Sequence, residues 1–128
     1  MKPFGLVLAG GGGKGAYQIG AWEAMREIGV RFEAIAGVSI GSINGALIAA
    51  DDFKAATELW NNISLDKGVN ISEPLPDPEN LFSTKNWGIL FKEFVKNGGF
   101  DASPVKEFIS QYIDESKVRA SKIPFGLV

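Results

Sequence analysis

Two short stretches hold residue types whose spacing suits chemistry. The first is Gly37-Val38-Ser39-Ile40-Gly41, a Gly-x-Ser-x-Gly pattern. Between a strand and a helix, such a serine sits on a sharp turn that lifts its Oγ above the sheet, as in a nucleophile elbow. Gly37 and Gly41 suit that turn because a Cβ there would collide with neighbouring backbone. The following helix aims its N-terminus at the serine and so favours an anionic intermediate. The pattern alone is weak, because it equally describes a serine N-cap with glycines for close packing.

The second stretch is Gly10-Gly11-Gly12-Gly13-Lys14-Gly15. Glycines let backbone adopt positive φ and approach a ligand. Free N–H groups at a helix N-terminus form an anion site. A P-loop needs Gly-x-x-x-x-Gly-Lys followed by Ser or Thr. Here Gly15 follows Lys14, and Leu8 stands where the first glycine should be. A dinucleotide site needs Gly-x-Gly-x-x-Gly, which Gly10, Gly12 and Gly15 satisfy, plus an acid closing the second strand. Gly37-Val38-Ser39 occupies that place, and Glu33 is at the wrong end. An oxyanion hole remains, in which the loop amides face a developing alkoxide. So does a phosphate- or nucleotide-binding module without catalysis, and so does a tight turn without a ligand.

What the chain lacks narrows the chemistry. It has no histidine and no cysteine, so no Ser-His-Asp triad, thiolate nucleophile or disulfide can be built from it. No metal site or organic cofactor is implied. Serine chemistry must pass its proton to a carboxylate, a lysine or a group outside these residues. The 128 residues are 45% hydrophobic and 22% charged with a net charge of −2, a globular balance without a nucleic-acid-binding stripe. No apolar run approaches the roughly 20 residues that span a bilayer. A cytoplasmic protein, peripheral to a membrane when at work, fits these numbers.

The elements that must position the two stretches are legible from periodicity. Phe4 to Ala9 reads as a buried strand ending in the glycines. Ala16 to Ile28 reads as a helix with a stripe of Ile19, Trp22, Ala24, Met25 and Ile28, closed by Gly29. Phe32 to Val38 is a second strand, and Ile40 to Ala50 a small, apolar, central helix. Asp51 or Asp52 caps a third helix over Phe53 to Asn61. Asn62 to Asn80 reads as a proline-rich loop, and Trp87 to Lys96 as a helix. Ser103 and Pro104 open a helix through Val105, Phe108, Ile109, Tyr112 and Ile113. Ile123 to Val128 reads as a third strand. The order predicts a layered α/β/α fold with a mainly parallel sheet. Both chemical stretches then leave the carboxyl ends of neighbouring strands, where open α/β sheets bind ligands. A glycine loop facing an exposed serine is the geometry of acyl transfer.

Together these residues resemble the patatin-like phospholipases. The likeness rests on Gly10-Gly11-Gly12-Gly13-Lys14-Gly15 and on Gly37-Val38-Ser39-Ile40-Gly41-Ser42-Ile43-Asn44-Gly45-Ala46, and it is close over roughly the first 50 residues. It implies a Ser-Asp dyad of lipid acyl hydrolases, with an acyl lipid as substrate and no cofactor. Ser39 matches the nucleophile, and Gly11, Gly12 and Gly13 match the oxyanion loop. The family's base is an Asp in an Asp-Gly-Gly or Asp-Gly-Ala turn further along the chain. Here Asp51, Asp52, Asp66, Asp77, Asp101 and Asp114 are not followed by glycine, and each reads as structural. The 128 residues are therefore expected to be the N-terminal portion of the domain, inactive alone, with an unfinished sheet edge that invites self-association. Lys14 reads as support for the glycine loop rather than as a substrate ligand or a base. Phe82, Trp87, Phe91, Phe94 and Phe100 read as core rather than lid, and residues 64–86 as the better candidate cover.

Overall fold

A computed structural model describes residues 4–63 and 103–127. Two compact units divide the chain: residues 1–61 with 112–128, and residues 62–111. The first unit holds a parallel three-stranded sheet. Its strands are β1 (Phe4–Leu8), β2 (Phe32–Gly37) and β3 (Phe125–Leu127), in the order β1-β2-β3. The helices of this unit are α1 (Gly15–Glu27), α2 (Ile40–Ala49), α3 (Phe53–Asn62, which crosses into the second unit at its last residue) and α5 (Glu115–Arg119). In the second unit α4 spans Ser103–Ser110. The fold is α/β with a parallel sheet, as the alternation of strands and helices requires.

Alternation along the strands decides which face is covered. Leu6 pairs with Ile35, and Ile35 with Phe125, so these three lie on one face. Leu8 and Ile35 are buried there, and α2 packs on all three strands. Gly45 of α2 comes so close that a Cβ would stand 2.7 Å from the Phe125 ring and 3.3 Å from Ile35. Buried Ala46, Leu47, Ile48 and Ala49 complete a helix covered on nearly every side. Full burial of a leucine such as Leu47 or Leu59 contributes about 2 kcal/mol each. Trp22 of α1 meets Phe53 edge-on at 5.4 Å, and the Arg26 guanidinium lies over both rings.

Several boundaries differ from expectation for local reasons. The stripe on α1 is narrower: Ile19 and Trp22 are buried, but Ile28 is the C-cap and is 67% exposed. Gly29 then takes φ +76, which closes the helix as expected. Asp52, not Asp51, caps α3, accepting from the Ala55 N–H at 3.1 Å. The helix from Ser103 ends at Ser110 and does not reach Tyr112 or Ile113. Asp114, with extended φ −84 and ψ 101, instead caps a separate α5 through the N–H groups of Ser116 and Lys117. Strand β3 is shorter than expected because Pro124 has no N–H to donate; its carbonyl still accepts from Ile35 at 2.9 Å. The expected loop over residues 62–80, the expected cover over 64–86, the helix over Trp87 to Lys96 and its aromatic set lie outside the described residues, save Asn62 and Ile63.

Candidate active site

The two chemical stretches meet because β1 and β2 end in register. Leu8 pairs with Gly37, so the glycine loop and the serine turn leave the same edge side by side. The Val38 N–H donates to the Leu8 carbonyl at 3.0 Å, extending the pairing one residue past the strand. The chain then reverses. Ser39 takes φ 53 and ψ −125, a conformation that costs a non-glycine residue on the order of 1–3 kcal/mol. The N–H groups of Gly41 and Ser42 donate to the carbonyls of Val38 (2.9 Å) and Ser39 (2.8 Å), which starts α2 at once.

Ser39 occupies the N-cap position of α2, yet its side chain makes no capping hydrogen bond. The nearby hydroxyl with a structural partner is that of Ser42, which donates to the Gly37 carbonyl at 2.8 Å. Ser39 itself is exposed. A cap would have explained the serine; among the described residues its hydroxyl has no hydrogen-bond partner.

The flanking glycines are there for space. A Cβ on Gly37 would lie 2.5 Å from the Gly41 carbonyl carbon and 2.7 Å from the Ser42 nitrogen. A Cβ on Gly41 would lie 2.8 Å from the Ala9 carbonyl oxygen and closer still to that of Leu8. The first turn of α2 thus rests directly on the end of β1.

The glycine loop runs alongside. A Cβ on Gly10 would stand 3.2 Å from the Ser39 Cβ and 3.8 Å from its Oγ, so Gly10 is the loop residue set against the serine. Gly11 at φ 136 and Gly12 at φ 56 turn the chain away into a 3-10 turn over Gly12–Lys14. Within that turn Lys14 N–H reaches the Gly11 carbonyl, and Gly15 N–H those of Gly12 and Gly13. Among the described residues, the N–H groups of Gly11, Gly12 and Gly13 meet no backbone acceptor. Lys14 lays its methylenes along Gly11, with Cδ 3.5 Å from where a Cβ would stand. Gly15 is helical, and its lack of a side chain makes room for the Trp60 ring.

Charge is concentrated elsewhere. Lys117 beside Asp52 holds that carboxyl below the usual carboxylate range, helped by the Ala55 N–H, and Asp52 in turn raises the Lys117 ammonium. The Ser116 hydroxyl likewise lowers Asp114. Asp51 pairs with Arg26. Each of these aspartates has a structural partner, while Asp66, Asp77 and Asp101 lie outside the described residues. Among the described residues, no group of three or more acidic side chains is placed to hold a metal ion, and no helix is long and apolar enough to cross a membrane.

Sequence reasoning missed Gln18 and Trp60, which join Asn44 in a hydrogen-bonded chain around the loop. An Asn in a mostly apolar helix was the available signal, because a buried amide requires partners.

Residues 6–128 match the family model of the patatin-like phospholipases. A lysophospholipase of Aspergillus terreus is 51% identical over 50 residues, 39% of this chain and 3% of its own length. The neuropathy target esterase of Drosophila sechellia is 49% identical over 47 residues, 37% of this chain and 3% of its own. A patatin-like phospholipase domain-containing protein of Caenorhabditis elegans is 49% identical over 101 residues, 70% of this chain and 7% of its own. The chain therefore spans only a small fraction of the length of these curated relatives.

Proposed function

The chain belongs to the patatin-like phospholipase family, and on that premise we propose that it carries the nucleophile of a serine-dependent lipid acyl hydrolase. The observation that carries this reading is Ser39: strained, exposed, without a capping bond, and set against Gly10. Ser39 Oγ attacks the ester carbonyl carbon. The N–H groups of Gly11, Gly12 and Gly13 hold the tetrahedral oxyanion. An aspartate outside residues 1–128 accepts the serine proton and returns it to the leaving alcohol. Water then releases the acyl group from Ser39. Gly37 and Gly41 keep the turn sharp, and Lys14 braces the loop. On this reading residues 1–128 alone turn over little substrate, for want of the base.

Two relatives are named as a lysophospholipase and an esterase, so single-chain phospholipid esters are the first substrates to try. A fluorophosphonate probe applied to the full chain should label Ser39, and Ser39→Ala should abolish labelling and lower ester turnover by about 10⁴-fold or more. Folded protein that stays unlabelled at Ser39 would sink the reading. Thermal stabilisation by nucleotides in that same unlabelled protein would favour a phosphate-binding module.

A further inference from the structure

We propose that Gln18 and Asn44 are positioning residues that hold the glycine loop against Ser39, and that Trp60 fixes the orientation of Asn44. The proposal rests on the reading of Ser39 as a nucleophile only for its catalytic consequence; the geometry stands by itself. Asn44 is fully buried in α2, five residues after Ser39. Its Nδ2 donates to the Gly15 carbonyl at 2.9 Å and to Gln18 Oε1 at 2.8 Å. Its Oδ1 accepts from the Trp60 indole N–H at 2.9 Å. Gln18 Nε2 in turn donates to the Ala9 carbonyl at 2.7 Å.

Ala9 and Gly15 are the residues that bracket the loop Gly10 to Lys14. The Gly15 end is therefore tied directly to the helix that follows the serine, and the Ala9 end is tied to it through Gln18 of α1. The polarity of the chain has one solution. An indole N–H only donates and a backbone carbonyl only accepts, so Asn44 must turn its oxygen to Trp60 and its NH₂ to Gly15. That leaves Gln18 facing Asn44 with its oxygen and Ala9 with its NH₂. Both N–H groups of Asn44 are used, and among the described residues no buried side-chain polar atom is left without a partner. Gly15 belongs to the same device, because a Cβ there would lie 2.5 Å from the Trp60 ring and push it off Asn44.

Asn44→Asp and Gln18→Met separate positioning from mere packing. Both nearly preserve volume. The first keeps the acceptor for Trp60 and loses both donors; the second, at a half-buried site, loses both bonds and is the safer variant for folding. In the full chain, each should lower kcat for an ester substrate by about 10- to 100-fold with KM changed by less than about twofold, as expected for a small misplacement of the reacting groups. Gln18→Glu, which keeps the acceptor for Asn44 but not the donor to Ala9, should fall between wild type and Gln18→Met. Independently of turnover, NMR order parameters of the Gly10 to Gly13 amides should fall from about 0.85 towards 0.6, while those of Ile35 and Leu47 stay high. Rigid glycine amides in Gln18→Met, or a uniform loss of order across the sheet, would overturn the proposal. An inert wild-type Ser39 would instead overturn the hydrolase reading, and the NMR result would still decide the positioning role.

Discussion

Near each end of α2 stands a residue other than glycine held at positive φ: Ser39 at φ 53 before the helix and Asp51 at φ 52 after it. The resemblance ends there. Asp51 is a residue type that tolerates the left-handed region, and its carboxylate is engaged by Arg26. Next to it Asp52 caps α3 and pairs with Lys117. Asp51, Asp52, Arg26 and Lys117 in that corner each have a structural partner. At the other end Ser39 is strained, its hydroxyl caps nothing, and Gly10, Gly37 and Gly41 around it carry no side chains. Positive φ alone therefore does not mark a candidate site. A strained residue whose side chain has no capping role is the better candidate.

The largest stability effects should come from the glycines that make the Ser39 end possible. Gly37→Ala and Gly41→Ala each drive a Cβ into backbone atoms, which cannot rotate away as a side chain could. Overpacking of this kind costs about 1–3 kcal/mol or more. Gly5→Ala on β1 meets nothing within 4 Å and should change stability by no more than about 0.5 kcal/mol. Thermal unfolding of the three variants checks this. Equal midpoints would mean that the turn has room to relax, and that the close contacts do not hold it sharp.

The contrast between the ends was half visible in the sequence. The strand-glycine-helix grammar around Gly10 to Gly15 and Gly37 to Gly41 was legible because glycine clusters have few other uses. The apolar run Ala46 to Ala49 marked α2 as central for the same kind of reason: nothing polar interrupts it. The uncommitted hydroxyl of Ser39 was not legible, because a serine before a helix is ordinarily a cap, and only the dihedral angles and partners tell the two apart. Gln18 and Trp60 were invisible for a different reason. Their roles depend on contacts 26 and 16 residues away in sequence, which no local period encodes. The break between α4 and α5 was missed because the apolar spacing of Tyr112 and Ile113 continued across it, while Asp114 redirected the backbone.

A second pair of variants tests strain directly. Ser39→Gly should raise stability by about 1 kcal/mol, since glycine occupies positive φ without a Cβ penalty and no side-chain bond is lost. Asp51→Gly gains less conformational relief, because Asp tolerates this region, and loses its pair with Arg26, so its midpoint should move less. A Ser39→Gly protein less stable than wild type would show that the hydroxyl has a structural partner after all, and the distinction between the two ends would collapse.

The smallest effect belongs to the charged corner, and its sign follows from the pair itself. The Asp52 carboxyl is held below its ordinary 3.8, so its contribution is present above that value and is lost as pH falls through the lowered one. The Lys117 ammonium is held above its ordinary 10.5, so its contribution is present below that value and is lost as pH rises through the raised one. Between these limits the pair favours the folded chain. Lys117→Met should therefore lower the unfolding midpoint near neutrality by no more than about 2 °C, because the lysine is exposed and salt screens it. The difference should shrink in strong acid, in strong base and at high salt. Turnover at Ser39 should not follow it, because no charge of that corner enters the hydrogen bonds that join Ala9, Gly15, Gln18, Asn44 and Trp60. If activity did track the ionisation of Asp52 and Lys117, the two ends of α2 would be coupled, and the division between a neutral site and a charged brace would have to be given up.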